Sequence, residues 1–455
     1  MSKATISFFG GVDSVTGSNF LFHAGGKHIM IDCGLFQGDK FADDRNREKF
    51  PFDPKNIDVL LVTHAHIDHI GRIPKLVKEG FHGKIYSTPP TEELVRIMLL
   101  DTTRILEHEA RQDGREPIYE QRDVVDTMNL WESHEYYEPF PVASGVKCEF
   151  KDAGHILGSA MMFLTAESGK TMVFTGDLGN SPAPLLRDTD PVTGVNYLLM
   201  ESVYGDRNHE ARDERKELLR KAITDSIGRG GALLIPAFSL ERTQDLLFEM
   251  NDLVEHHKIP DVKIFVDSPL AIKATEVYRH SDKYFNKDTQ HVIKSGDDIF
   301  RFPRLSFTET KEESMAIWDT KGPKVIMAGS GMANGGRIVH HLKHYLSDTH
   351  NTVLLVGYQA VGTPGRALAE GAKSVRLYGD DIAVKAQVMN IHGYSAHKDM
   401  DHLVEFAATG AETLEKVFVT IGEPKASMFL AQRIRDYVGL DTVVPQPGDQ
   451  VEIDF

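Results

Sequence analysis

The stretch LVTHAHIDHIGRIP, residues 61–74, places three histidines and one aspartate within six positions. The chain of 455 residues holds only 21 histidines, so this density lies far above its average. Imidazole nitrogens and carboxylate oxygens are ligands that Zn²⁺ takes in proteins. Two imidazoles one residue apart, His64 and His66, can reach one ion from a turn, while Asp68 and His69 can hold a second. Two such ions promote in-line displacement at phosphorus. The alternative is a set of core or capping histidines, each of which would need its own buried partner.

Two later segments offer the remaining ligands. DAGHILGSA places His155 between glycines, and TGDLGN carries Asp177. Either residue alone is typical of an ordinary turn. Together with the first cluster they complete a ligand set in which Asp177 can bridge both ions. Asp32, in the sequence IDCG, is better placed to support a ligand histidine from behind.

The elements that must position these residues are buried strands that end in polar loops. Segments 27–34, 57–66, 171–180 and 195–206 each run from apolar, β-branched residues into a polar end. Open α/β folds gather their chemistry at the carboxyl ends of strands. Segment 91–111 has apolar residues three and four apart, which predicts a long amphipathic helix.

From about residue 212 the pattern alternates between strand and helix, which predicts a parallel sheet flanked by helices. The last part of the chain, from about residue 380, returns to the strand-and-turn pattern of the first two hundred residues. We therefore predict an α/β protein in which one domain is interrupted by a second. The expected boundaries are 1–205 for the first part, 206–379 for the insertion and 380–455 for the return.

Composition excludes several classes of protein. Hydrophobic residues make up 41% and charged residues 26%, as in globular proteins rather than disordered or fibrous ones. Cys33 and Cys148 are the only cysteines, so a disulfide framework is excluded and a cytoplasmic location is expected. No apolar run is long enough for a membrane span, and the N-terminus lacks the pattern of a secretory signal. The formal charge of −16 argues against indiscriminate nucleic-acid binding, although a local basic groove is compatible with it.

These motifs resemble the metallo-β-lactamase fold and, within it, the β-CASP ribonucleases. THAHIDH is similar to the signature of that fold, and GHILGSA and TGDLGN to its next two motifs. MESVYGDR and GYSAHKD resemble the later acidic and histidine motifs, which contain Glu201 and His397 here. Four further segments are similar to the inserted domain of bacterial and archaeal relatives of the mRNA 3′-end cleavage endonuclease, including RNase J-like enzymes: IPAFSLERTQDLL, DSPLAIKATEVYR, GSGMANGGRIVHHLKHYL and VGYQAVGTPGRAL.

The resemblance implies an αββα sandwich with an inserted β-CASP domain. It also implies two Zn²⁺ ions, the first held by His64, His66 and His155, the second by Asp68 and His69, with Asp177 between them. A metal-bound hydroxide would attack an RNA phosphodiester bond in a cleft between the domains. His397 would protonate the departing oxygen, with Glu201 orienting it; Asp32 and Asp68 complete the expected catalytic set.

One departure from the family pattern concerns the second ion. The final motif of the family usually reads Val-His-Gly-Glu, and its histidine is a metal ligand, whereas this chain has Ile421 before Gly422 and Glu423. Isoleucine cannot bind a metal. Three outcomes remain open: a weaker second zinc or an exchange for Mn²⁺, compensation by a neighbour such as His392 or Thr420, or loss of nuclease activity. Because every other catalytic position is present, we expect a working enzyme with a weaker second site.

The inserted domain contains candidate contacts to RNA phosphates. GSGMANGG places a glycine-rich loop containing Ser330 before a helix, a geometry that can hold phosphate but is also typical of a plain tight turn. Arg337 follows this loop in the same segment, and Arg242, Lys273 and Arg366 lie in the other motif-like segments; for each of them a solvated surface cation is an equally good interpretation. His340, His341 and His344 share a predicted helix, and a solvated face is the preferred interpretation there.

The leading hypothesis is a metal-dependent ribonuclease acting on single-stranded RNA. Endonucleolytic and 5′–3′ exonucleolytic cleavage both remain open, as do a monomer and a homodimer. The first competitor is a catalytically impaired RNA-binding subunit, motivated by Ile421. The second is a hydrolase of small esters or phosphodiesters, which the inserted domain and the Glu201 and His397 motifs disfavour.

Overall fold

The computed structural model describes residues 3–38, 41–209, 214–360 and 362–455. The chain divides into two compact units: the first contains residues 1–208 and 397–455, and the second contains residues 209–396. Within the described residues, no helix combines the length and apolar character that crossing a bilayer requires.

The strands in chain order are β1 Lys3–Gly10, β2 Asn19–Ala24, β3 Lys27–Ile31, β4 Val59–Leu61, β5 Lys84–Ser87, β6 Trp131–Ser133, β7 Phe140–Ala143, β8 Val146–Asp152, β9 Ala160–Ala166, β10 Thr171–Phe174, β11 Tyr197–Met200, β12 Ala232–Pro236, β13 Lys263–Val266, β14 Leu305–Phe307, β15 Lys324–Ala328, β16 Thr352–Leu355, β17 Ser374–Leu377, β18 Asp380–Ala383, β19 Gln387–Asn390, β20 Lys416–Val419, β21 Thr442–Val443 and β22 Gln450–Asp454.

The α-helices are α1 Ala42–Arg47, α2 Ile67–Ile70, α3 Ile73–Lys78, α4 Pro89–Asp113, α5 Gln121–Met128, α6 Arg215–Gly228, α7 Arg242–Glu255, α8 Pro269–Arg279, α9 Lys287–Lys294, α10 Lys311–Asp319, α11 Gly336–Tyr345, α12 Pro364–Ala369, α13 Met400–Ala408 and α14 Pro424–Val438. The helix predicted over 91–111 is confirmed as α4. It begins at Pro89, where a backbone N–H would have no partner within the helix, and ends at Asp113. Gly114 follows as the C-cap in the left-handed region, with φ of 64°.

The first unit is a sandwich of two seven-stranded sheets. One has the order β22-β1-β2-β3-β4-β5-β6 and the other β21-β20-β11-β10-β9-β8-β7. Aromatic rings pack between the inner faces of the two sheets. The ring centroids of Phe8 in β1 and Phe418 in β20 lie 5.8 Å apart, as do those of Phe22 in β2 and Phe174 in β10. Helices α13 and α14 cover the outer face of the second sheet through Leu403, Phe406 and other apolar side chains. The expected αββα arrangement is confirmed.

The second unit is built on a six-stranded parallel sheet of order β14-β13-β15-β12-β16-β19, with helices between its strands. Strand β12 is buried throughout, as expected for a strand covered on both faces. The predicted parallel sheet is therefore present.

The return to the first unit lies later in the chain than the expected boundary at residue 380. Strand β18 pairs with β17, and β19 pairs in parallel with β16, so residues 380–390 complete the sheets of the second unit. The structural division falls between residues 396 and 397. The division falls later than residue 380 because β19 adds to the edge of a sheet of the second unit.

Candidate metal centre

Three imidazole rings and one carboxylate converge in the first unit, carried by the loop after β4, the loop before β9 and the loop after β10. The ligand atoms of His64, His66, His155 and Asp177 all lie within 4.8 Å of one another. His66 Nδ1 lies 3.1 Å from His64 Nε2 and 3.2 Å from His155 Nε2. Tetrahedral Zn²⁺ with bonds of about 2.0–2.1 Å separates its ligand nitrogens by about 3.4 Å, so these spacings fit such an ion.

The protonation of these histidines suits metal binding. Burial, reinforced by His64, lowers the pKa of His66 well below its usual range. Burial and the nearby His397 do the same to the pKa of His155. Neutral imidazoles keep a lone pair available for a metal ion, as a ligand requires.

Asp177 faces the histidines with both oxygens. Its Oδ2 lies 3.4 Å from His64 Nε2 and 3.5 Å from His155 Nε2, while Oδ1 lies 3.3 Å from His69 Nε2. Burial alone would raise the pKa of Asp177, but His69 and His64 lower it well below its usual range. The two oxygens of this carboxylate therefore face different histidines, Oδ2 towards His64 and His155 and Oδ1 towards His69.

A second position is marked by two buried atoms that lack hydrogen bonds among the described residues, His69 Nε2 and Asp177 Oδ1. Their 3.3 Å separation is an ion contact without the alignment of a hydrogen bond. Unsatisfied buried polar atoms are costly, and a cation between them would satisfy both. Asp68, which is half-buried, carries a carboxyl whose pKa is raised by burial. Among the described residues, Asp68 and His69 lie outside the groups of three or more ligand atoms within 4.8 Å.

Asp32 lies behind His69. Its Oδ2 accepts a hydrogen bond from His69 Nδ1 at 2.7 Å, which leaves Nε2 turned towards Asp177. Burial alone would lower the pKa of His69, but Asp177 and Asp32 raise it well above its usual range. Gly34 allows the neighbouring loop to close, because a Cβ there would lie 1.5 Å from the carbonyl oxygen of Asp68.

His397 and Glu201 form a pair beside this cluster. His397 Nδ1 lies 3.2 Å from Glu201 Oε1, and the His397 ring centroid lies 4.6 Å from that of His155. Glu201 is fully buried and accepts the backbone N–H of Leu178 at 2.6 Å. Burial alone would lower the pKa of His397, but Glu201 outweighs it and raises the pKa to about 9.

Ile421 is buried near Gly11, with its Cγ1 3.4 Å from the position that a Cβ on Gly11 would occupy. Its φ of 47° is unusual for a β-branched residue. Of the two suggested substitutes, Thr420 already donates its hydroxyl to the carbonyl of Met200 at 3.2 Å. Compensation by His392 stays a prediction.

Sequence reasoning missed two residues that hold the ligands. Thr63 donates its hydroxyl to Asp32 and lies 3.0 Å from His64 Nδ1, so it links two sides of the centre. Ser159 Oγ accepts the backbone N–H of His155 at 3.0 Å. Thr63 lies in the segment LVTHAHIDH and Ser159 in GHILGSA, so a hydroxyl residue within a ligand motif is the sequence feature that could have identified both.

The candidate RNA contacts lie in the second unit in differing environments. Arg242 is buried and bonds Asp245 at 2.9 Å, and Arg337 bonds Asp267 at 2.6 Å. Arg366 is half-buried and bonds Glu370, Ser330 Oγ lies 2.5 Å from Asn334 Oδ1, and Lys273 is exposed. The structure thus brings the metal ligands together, whereas the two most constrained arginines already bond carboxylates.

The three histidines of α11 only partly form the solvated face we expected. His340 and His344 are exposed, although His344 stacks on Trp318 with parallel rings 4.9 Å apart. His341 is fully buried and bonds Asp267 at 2.7 Å. The neighbouring strand end and helix α10 provide partners that sequence spacing does not show.

Three family models match the chain. The metallo-β-lactamase superfamily model covers residues 13–132, the Beta-Casp domain model 243–368, and the Zn-dependent metallo-hydrolase RNA specificity domain model 381–445. The superfamily match, together with the ligand cluster, supports binding of a divalent metal.

Individual relatives extend over most of the chain. Ribonuclease TTHA0252 of Thermus thermophilus is 37% identical over 88% of this chain and 89% of its own length. An RNase J-like protein of Methanocaldococcus jannaschii is 32% identical over 97% of this chain and 98% of its own length. The crystal structure of a protein of unknown function from Enterococcus faecalis shares the fold, with a TM-score of 0.57 and 11% identity over 99% of this chain and all of that one. On the strength of its domain order, its catalytic motifs and these relatives, the chain belongs to the β-CASP ribonuclease family of metallo-β-lactamase-fold hydrolases.

Proposed function

We propose that this protein is a metal-dependent ribonuclease that hydrolyses phosphodiester bonds of single-stranded RNA. The observation that carries the proposal is the convergence of His64, His66, His155 and Asp177 within 4.8 Å, with the His397–Glu201 pair directly beside it. Such a constellation combines ligands for an electrophilic ion with a separate proton donor. The RNA specificity domain match and the ribonuclease relatives support RNA as the substrate.

Zinc is the ion best suited to the first site, because three imidazoles and a carboxylate form a typical zinc ligand set. His69, Asp68 and Asp177 would hold a second ion with one imidazole fewer, since Ile421 offers no donor atom. We expect this second ion to bind more weakly, and Mn²⁺ would suit the oxygen-rich set.

The residues of this chain divide the chemical work. When bound, the ions would neutralise charge on the scissile phosphate and lower the pKa of a water molecule. His397 donates a proton to the departing oxygen, and Glu201 keeps that imidazole charged and oriented. Asp32 holds His69 through Nδ1, an orientation that turns Nε2 towards the site.

Contacts to the RNA backbone are assigned to the second unit. We propose Lys273, Ser330 and Arg366 for phosphate contacts, together with Arg242 and Arg337 once their carboxylate partners are rearranged. Cleavage within the strand is the favoured mode. The two free, buried cysteines, Cys33 and Cys148, favour a reducing compartment such as the cytoplasm.

The direct test is to incubate labelled single-stranded RNA with the purified protein and either Zn²⁺ or Mn²⁺. A His397→Ala variant should lose about 10²–10⁴-fold in cleavage rate, because it lacks the proton donor. A His82→Ala variant, altered at an exposed histidine, is the matched control and should cleave like the parent protein. Internal fragments would identify endonucleolytic cleavage, and mononucleotides released from the 5′ end would identify the exonucleolytic mode.

An RNA-binding subunit without nuclease activity is the second candidate, and Ile421 is the observation that favours it. In that case RNA would bind, but the parent and His397→Ala proteins would leave it equally intact. Turnover of a small ester without any RNA cleavage would instead favour a small-molecule hydrolase.

A further inference from the structure

A cavity of about 550 Å³ lies in the second unit at the amino ends of β12, β15 and β16. The residues used below that line it are Arg229, Lys324, Tyr345, Asp348, His350 and Asn351. In parallel α/β sheets, ligands usually bind outside the carboxyl ends of the strands, whereas this cavity lies at the amino ends. None of its lining residues belongs to the metal-ligand set, and the inference below does not depend on nuclease activity.

The cavity walls carry hydrogen-bond donors that lack partners. Tyr345 is 9% exposed, and its hydroxyl has no hydrogen-bond partner among the described residues. The same holds for the buried Nε of Arg229, although its Nη2 bonds Thr352. Lys324 is 6% exposed; its Nζ donates to the carbonyl oxygen of Thr320 at 2.5 Å, lies 5.8 Å from the centre of the Tyr345 ring and adds a positive charge to the wall. Buried donors without acceptors are rare and costly, so their concentration here indicates a missing acceptor.

Two acceptors near the cavity, the carbonyl oxygen of Tyr345 and Oδ1 of Asp348, are already engaged. The carbonyl oxygen of Tyr345, at the end of α11, accepts from Asn351 Nδ2 at 2.9 Å. Asp348 accepts from the backbone and the ring of His350 at 3.0 and 2.8 Å. Arg229 and Lys324 against Asp348 leave a formal charge of +1 on these walls, in a chain whose total is −16. The polar balance therefore favours an anion.

We propose that this cavity binds a small phosphate-bearing molecule. A guanidinium, an ammonium and a phenolic hydroxyl supply three donor groups, which match the three terminal oxygens of a phosphate better than the two of a carboxylate. The volume lies within the range of small-molecule sites and leaves room for a sugar or a ring beyond the phosphate. A phosphate ester of about mononucleotide size fits both observations.

The experiment is a calorimetric titration of the full-length, metal-loaded protein with three probes: adenosine monophosphate, inorganic phosphate and adenosine. Tyr345→Phe removes only the hydroxyl, and because that hydroxyl has no partner among the described residues the variant should unfold at the same temperature as the parent. Arg229→Gln removes the guanidinium. Tyr437→Phe changes a tyrosine that is 69% exposed and serves as the matched control.

The expected result is saturable binding of adenosine monophosphate that weakens about tenfold in Tyr345→Phe and in Arg229→Gln and is unchanged in Tyr437→Phe. Equal affinity for inorganic phosphate would identify the free anion as a ligand, and weaker affinity would identify the ester. Absence of saturable binding to both phosphate probes would overturn the proposal. So would binding that is identical in all four proteins, since the phosphate would then bind elsewhere, for example at the metal centre.

Discussion

Two clusters of buried histidine and aspartate lie at strand ends in this molecule, one in each unit, and they differ in how their polar atoms are satisfied. In the second unit, Asp267 accepts four hydrogen bonds, from Thr308, Arg337, Ser314 and His341. We call these five residues, with Trp318, the Asp267 network. In the first unit, imidazole nitrogens face one another, and His69 Nε2 and Asp177 Oδ1 lack hydrogen bonds among the described residues.

In the Asp267 network, the hydrogen-bonding groups of Asp267, His341 and Trp318 are paired with one another in a way that fixes which atom donates and which accepts. Trp318 can only donate, and its Nε1 lies 3.0 Å from His341 Nδ1. His341 must therefore carry its proton on Nε2 and donate it to Asp267. The same residue types thus build a structural network in one unit and a candidate metal centre in the other. The difference lies in whether protein donors saturate the carboxylate.

We expect the largest loss of cleavage rate from a substitution at Asp177. Asp177→Ala should reduce RNA cleavage by about 10³-fold, because it removes the carboxylate that faces both ion positions. Bound metal, measured by elemental analysis after dialysis, should fall as well. Asp113→Ala, at an exposed aspartate, is the matched control. Full metal content and full activity in Asp177→Ala would exclude it as a ligand.

Asp267→Ala should lower the stability of the protein without lowering its metal content. Removing this carboxylate leaves Arg337 and His341 without their partner, so the free energy of unfolding should fall by about 3–5 kcal/mol while the metal content stays unchanged. Denaturant unfolding and elemental analysis give the two readouts. Loss of metal without loss of stability would reverse the assignment of the two clusters.

The stability difference between the parent and Asp267→Ala should depend on pH. Burial alone would raise the pKa of Asp267, but hydrogen bonds from His341, Ser314 and Arg337 lower it to about 2. The folded state therefore holds the ionised form, and its stabilising contribution is present above the ordinary pKa of about 3.8 and lost towards pH 2. Unfolding measured at successive pH values should show the difference shrinking across this interval.

Glu201→Gln should lower the cleavage rate by about 10–100-fold, because the role that we propose for Glu201 is to orient His397. Metal content should be retained, which separates this residue from the ligands. Glu412→Gln, on the exposed surface, should behave like the parent. A complete loss of activity, equal to that of Asp177→Ala, together with loss of metal would instead place Glu201 among the metal ligands.

The smallest change concerns the second ion. The parent protein should retain one tightly bound zinc and less than one equivalent of a second metal after dialysis. Ile421→His should raise the total towards two, since it supplies the missing imidazole, and histidine tolerates positive φ better than isoleucine does. Ile421→Leu should leave the stoichiometry unchanged. Two tightly held ions in the parent protein would refute the weaker second site.

His64, His66 and His69 could be predicted as candidate ligands from the sequence because they are crowded within one strand-end turn, and His155 and Asp177 because their motifs resemble those of a known family. The roles of Arg337 and His341 could not, because their partner Asp267 is 70 residues or more away along the chain and meets them only through β13 and α11. The division between the units falls later in the chain than the expected boundary for a similar reason. Strand β19 pairs with β16 across a long connection that contains its own hairpin.

By itself, the sequence determined the order of elements and the residue types at the strand ends, because periodicity and turn composition are local properties. The tertiary structure decided which buried carboxylates are saturated by protein donors and which keep an oxygen without a hydrogen bond among the described residues. That distinction depends on hydrogen-bond donors that the fold brings from distant segments of the chain. In the protein interior, a buried polar atom without a partner lowers the stability of the fold, so a bound ligand that pairs with it is favoured.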